Sequence, residues 1–158
     1  MEKVNQRLGL FLAILMGIMT VDVLWGVFTR YAMGSQSAWT EELARFLLIW
    51  IGMLGAAYAA GLRMHLAIDL LPQRLAGAPK DRLLLLIDII VILFVLAVMV
   101  IGGARYVYLS LKLGQLSPAL QVPMGYIYTV MPLSGLFIIW YKIVDIQRRR
   151  SALSASEA

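Results

Sequence analysis

Apolar positions along this chain neither alternate nor recur as one stripe of a helix; they come in four long runs. The first is Leu8 to Phe28, interrupted by Thr20 and Asp22. The second is Leu43 to Leu62, with Arg45 near its start. The third is Leu83 to Ala104, with Asp88 inside it, and the fourth is roughly Val122 to Ile143, with Pro123 and Pro132 inside it. Each holds about 20 residues, enough for a helix to cross a hydrocarbon core of about 30 Å. None shows a polar face, so each must be surrounded by lipid or by other protein. The connectors are too short to give four such helices a polar shell. The pattern predicts an all-α integral membrane protein, one membrane domain over 1–158, with transmembrane helices at about 8–28, 43–62, 83–104 and 122–143.

Composition agrees: 61% of residues are hydrophobic and 15% charged, against about 25% charged in soluble domains. Lys3 and Arg7 precede the first run as in a signal peptide, but the run is too long, carries Asp22 and lacks a small-x-small cleavage site, so it reads as a retained helix. With four spans, the N-terminus, second connector and C-terminus share a side. That side holds Lys3, Arg7, Arg63, Arg74, Lys80, Arg82, Lys142, Arg148, Arg149 and Arg150; the other holds Arg30, Arg45, Arg105 and Lys112. The positive-inside rule puts both termini in the cytoplasm. Trp25, Trp39, Tyr31, Tyr106 and Tyr108 then gather at the outer interface, and Trp140 and Tyr141 at the inner one. The net charge of +5 follows from residues flanking apolar runs, not from one basic patch, which argues against nucleic acid as a partner.

In the first connector, Thr40 is placed to cap the second helix, with Glu41 and Glu42 suiting its positive end. The second connector, Arg63 to Arg82, mixes apolar and polar residues from Met64 to Leu71 and stops at Pro72, which predicts a short segment along the inner interface. The third carries Ser117-Pro118. The stretch over 146–158 is basic, then rich in Ser and Ala, and reads as a disordered tail.

An Asp or Arg at mid-bilayer costs about 2.5–3.5 kcal/mol, so such residues tend to face protein, water or a partner. Asp22, Arg45 and Arg105 all belong to the outer half, where Glu41 and Glu42 also lie. They form a polar cluster, or the arginines snorkel to headgroups. Asp88 either sits near the inner interface or carries a proton. Gly52, Gly55, Ala56 and Ala59 share one face of the second helix. Small residues allow close helix approach in lipid, within the bundle or against another chain. The chain has no cysteine and one histidine, His65. No nucleophile–base pair, phosphate loop or metal-ligand spacing appears, so neither an enzyme nor a cofactor is expected.

The residues Trp39-Thr40-Glu41-Glu42-Leu43-Ala44-Arg45-Phe46, Trp50, Gly55-Ala56-Ala57 and His65-Leu66-Ala67-Ile68-Asp69-Leu70-Leu71 together resemble the signature of the DctQ family. So do Arg30-Tyr31, the stretch Ser117-Pro118-Ala119-Leu120-Gln121-Val122-Pro123, and Pro132. The resemblance covers roughly residues 8 to 145; Arg63-Met64 departs from it where the family is loose. These are the small membrane subunits of tripartite ATP-independent periplasmic (TRAP) transporters. The resemblance implies a large membrane subunit that holds the substrate and sodium sites, a periplasmic solute-binding protein, an organic acid as cargo and a bacterial inner-membrane location. It implies that the small subunit braces the large one and binds no substrate itself. Glu41, Glu42, Arg45 and the turn at Pro118 would lie outside, and His65 and Asp69 inside. A self-assembling small transporter or channel using Asp22 or Asp88 is the alternative, and a membrane enzyme or assembly factor a third reading.

Overall fold

A computed structural model describes the backbone over residues 2–35, 37–62 and 78–156, and side chains over 3–35, 37–62 and 83–147. The protein is all-helical there. Helix α1 spans Glu2–Ala32 and α2 spans Ala38–Gly61. A third rod consists of α3 (Ala78–Phe94), a π-helical segment (Val95–Gly102) and α4 (Gly103–Lys112). The fourth consists of α5 (Met124–Tyr128) and α6 (Val130–Ser156). Four stretches are long and apolar enough to cross a membrane: Lys3–Ala32, Ala38–Gly61, Leu83–Lys112 and Met124–Gln147. The four expected spans are therefore present, each longer than its apolar run, because polar residues at the ends extend a helix beyond the hydrocarbon. The interfacial segment expected between the second and third spans lies outside the described residues, as do His65 and Asp69.

Local sequence explains where the rods stop. Gly34, two residues past α1, has φ +75°, and Gly114, two residues past α4, has φ +60°. Both take a left-handed conformation that a Cβ would disfavour. Helix α2 starts earlier than expected. Ser37, in extended conformation, occupies the cap position, and Thr40 lies inside the first turn, where its hydroxyl donates back to the Ser37 carbonyl at 2.7 Å. Thr40 is thus not the cap. The fourth span is not one continuous helix from Val122. Pro123 sits just before α5 in extended conformation, and Pro132 falls in the first turn of α6. A proline there removes an N–H that has no intrahelical acceptor anyway, so the chain breaks at Thr129 rather than kinking further along. At the other end α6 continues to Ser156, through most of the stretch read as a disordered tail. Its Arg, Ala and Leu residues favour helix.

The packing is built around α2 and α6. Helix α1 lies on α2, α2 on α6, and α6 on the π segment. Leu8, Leu12, Leu54 and Val130 form one buried cluster, with Trp50 and Phe137 against it. Ala57, Ala60, Val95 and Ile138 form the other. Glycines admit the closest approaches. A Cβ on Gly135 of α6 would come within 3.0 Å of Met99 Cβ and Val100 Cγ2 in the π segment. One on Gly103 would come within 3.1 Å of the Pro132 ring. At the end of α2, a Cβ on Gly61 would strike Asn5 and lie 2.8 Å from Tyr141 Cζ.

Helix α2 is thus two-sided. Ala57 and Ala60 face the bundle, while a Cβ on Gly52 or Gly55 would meet nothing within 4 Å. The small-residue face singled out in the sequence contains those two open glycines, so in the isolated chain it does not serve the close packing that small residues permit. Gly61→Leu should destabilise the detergent-solubilised chain by about 1–3 kcal/mol, through overpacking. Gly52→Ala should leave it unchanged or more stable by up to about 1 kcal/mol. Thermal unfolding of the two variants checks both.

Candidate functional site

The chain crosses four times, so the start of α1, the end of α2, the start of α3 and the end of α6 meet at one end of the bundle. There, Tyr141 is fully buried and its hydroxyl donates to Asn5 Oδ1 at 2.7 Å. Beside it lies a buried ion pair: Lys142 Nζ donates to Asp88 Oδ1 at 2.8 Å. Asp88 is 2% exposed and Lys142 7%. Asp145, one turn further along α6, is buried as well. The geometry gives Asp88 a structural partner that joins the third and fourth spans. Lys142 was the residue missed in the sequence. The available signal was depth: Asp88 lies near the start of one apolar run and Lys142 near the end of the next, so antiparallel helices bring them level.

The opposite end holds part of the pattern that carries the family resemblance, the start of α2 and the Ser117–Pro123 stretch. Glu42, buried near the start of α2, accepts from the backbone N–H of Ala119 at 2.8 Å and of Leu120 at 2.7 Å through Oε2. Two successive amides on one carboxylate form an anion-binding concavity. The turn that offers them is itself tight. Ser117 is fully buried, its N–H donates to the Val122 carbonyl at 2.9 Å, and its hydroxyl accepts from Val122 N–H at 3.2 Å. Gln121 has φ 55°, and Leu116 and Pro123 bridge as an isolated antiparallel pair. Pro118 lies on the exposed surface of this turn. The structure therefore joins Glu42 to the Ser117–Pro123 stretch, two parts of the sequence pattern far apart in the chain.

The expected cluster of Asp22, Arg45 and Arg105 is not assembled. Arg45 pairs with Glu41 at 3.6 Å on the exposed surface of α2, the ordinary i,i+4 arrangement. Arg105 is exposed on α4. Asp22 is only 6% exposed, and neither of its carboxylate oxygens has a hydrogen-bond partner among the described residues. Trp39 is partly exposed beside it, whereas Trp50 packs on the α1–α2–α6 core. Among the described residues no three His, Cys, Asp or Glu side chains are grouped to hold a metal.

Four helices long and apolar enough to cross a membrane, with polar residues fastening their ends to one another, define a multi-pass membrane bundle. Residues 8–151 match the family described as tripartite ATP-independent periplasmic transporters, DctQ component, and the chain belongs to that family. It is 31% identical over 113 residues to the C4-dicarboxylate TRAP transporter small permease protein DctQ of Rhodobacter capsulatus, covering 72% of this chain and 49% of that one. It is 25% identical over 135 residues to the sialic acid TRAP transporter small permease protein SiaQ of Vibrio cholerae, covering 84% and 75%. It is 32% identical over 104 residues to the isethionate TRAP transporter permease protein DctMQ of Oleidesulfovibrio alaskensis, covering 65% of this chain but 16% of that much longer one. The protein is thus a component of a membrane transporter and not an enzyme.

Two outcomes test the anchors. Lys142→Met should destabilise the bundle by about 3–5 kcal/mol, since it removes the buried cation paired with Asp88, and the double variant Asp88→Leu/Lys142→Met should recover most of that; thermal unfolding in detergent reads both. Glu42→Ala removes a charged acceptor from two amides, each bond worth about 1.5–3 kcal/mol. Hydrogen exchange at Ala119 and Leu120 should accelerate in that variant before the helices do.

Proposed function

We propose that this chain is the small membrane subunit of a TRAP transporter, bracing a large permease subunit for sodium-coupled, binding-protein-dependent uptake of an organic acid. In this reading it sits in the bacterial inner membrane with both termini cytoplasmic, and the Glu42-anchored turn faces the periplasm, where the solute-binding protein docks. The observation that carries it is the fused relative: a segment matching this chain forms 16% of a single, far longer permease protein. The bundle itself supports a bracing role. Of the two acids a self-sufficient transporter or channel could use, Asp22 and Asp88, the latter is fastened to Lys142 at 2.8 Å, and the glycines at the open face of α2 stand free of their own bundle. The relatives' cargoes differ, C4-dicarboxylates in one and sialic acid in another, which fits a small subunit that leaves substrate choice to other chains.

Coexpression with its large permease and solute-binding protein tests the reading. The expected result is a stable complex of this chain with the large permease, and sodium-dependent uptake of one class of organic acid into proteoliposomes that needs all three proteins. Uptake by this chain alone, or full uptake without it, would overturn the proposal.

A further inference from the structure

An apolar groove opens where the start of α1 lies against α6. Its deeper part, about 420 Å³, is lined by Phe11 of α1, Trp50 and Leu54 of α2, and Leu133 and Phe137 of α6. Its mouth, about 380 Å³, adds Leu136 and Trp140 of α6. Val4, Leu133 and Phe137 line both parts, so the two adjoin. Arg7 is the one charged residue in the lining. It is exposed, and among the described residues no acid pairs with it. We propose that the groove holds an acyl chain of an anionic phospholipid whose phosphate is bound by Arg7, in the leaflet at the end where α1 starts. That leaflet is the cytoplasmic one in the orientation proposed above. The site itself does not depend on the TRAP reading, so the two can fail separately.

Length, depth and charge select this occupant. Val4 to Phe11 and Leu133 to Trp140 each advance about 10 Å along their helices. One leaflet offers about 15 Å of hydrocarbon, half of the core. The groove is therefore confined to one leaflet and matches a lipid tail, whereas a transmembrane helix would run out of it halfway. Trp140 at the mouth is of a type that settles at headgroup level. Arg7 directly precedes the apolar run of α1, which brings its guanidinium to the depth of lipid phosphates. A guanidinium forks onto phosphate through two N–H groups, and basic pockets between membrane helices on the cytoplasmic side suit anionic headgroups. No acid lines either part of the groove to repel one. A zwitterionic lipid would bring its own ammonium towards the same arginine.

The experiment uses the full chain coexpressed with its large permease and reconstituted into phosphatidylcholine vesicles. These are doped with phosphatidylglycerol carrying a photoreactive acyl chain, or with equally photoreactive phosphatidylcholine. Adducts should map to Phe11, Leu133 or Phe137, with phosphatidylglycerol favoured about fivefold. Arg7→Gln should remove most of that preference, and Arg7→Lys should keep most of it. Leu133→Trp fills the groove without altering charge and should lower labelling by both lipids. Raising the ionic strength should shrink the wild-type preference, a reading that needs no variant to fold. Equal labelling by the two lipids, or a preference that survives both Arg7→Gln and salt, overturns the proposal. So do groove residues that crosslink to neither lipid, because protein then covers them.

Discussion

In hydrocarbon, helices gain nothing by hiding apolar surface from one another, because lipid tails are as apolar as leucine. The bundle must therefore be held by close contact and by polar groups with few alternatives. Both appear here, and at the expected places. Gly61, Gly103 and Gly135 let neighbouring helices approach where a single Cβ would be crowded. Asp88 with Lys142, and Tyr141 with Asn5, tie three of the four spans at one end. At the other end Glu42 ties the second span to the connector between the third and fourth.

The same constraint explains why the two faces of α2 differ. The side with Ala57 and Ala60 is buried, and the side with Gly52 and Gly55 is open. In water an exposed glycine on a helix weakens it without compensation. In a membrane subunit the same residue lets another backbone come close, so an open small-residue face fits a chain made to be flanked.

The architecture was legible because a bilayer imposes its thickness on sequence. A run of about 20 apolar residues admits few other readings, and Leu8–Phe28 or Leu83–Ala104 needed no tertiary information. Where local chemistry was decisive, the reading slipped. The cap of α2 fell on Ser37 rather than Thr40, since the first turn is set by backbone geometry that begins four residues before Glu41. The fourth run hid a break at Thr129, because Pro123 and Pro132 each fit a helix start and only their joint placement shows two helices. The polar residues were hardest. Which acid meets which base depends on helix rotation and depth, so Asp88–Lys142 was missed and Asp22–Arg45–Arg105 was over-read. The Glu42 contact could be recognised only as two co-occurring pieces of a family pattern, not as a bond.

That bond spans 77 and 78 positions in the chain. It converts what would be an ordinary connector into a keystone: the polypeptide doubles back and locks onto its own earlier course. Neither the start of α2 nor the bend before α5 can shift without baring a carboxylate and two amides together. The start of α2 and the bend are therefore mechanically coupled, and whatever presses on the bend also presses on the second helix.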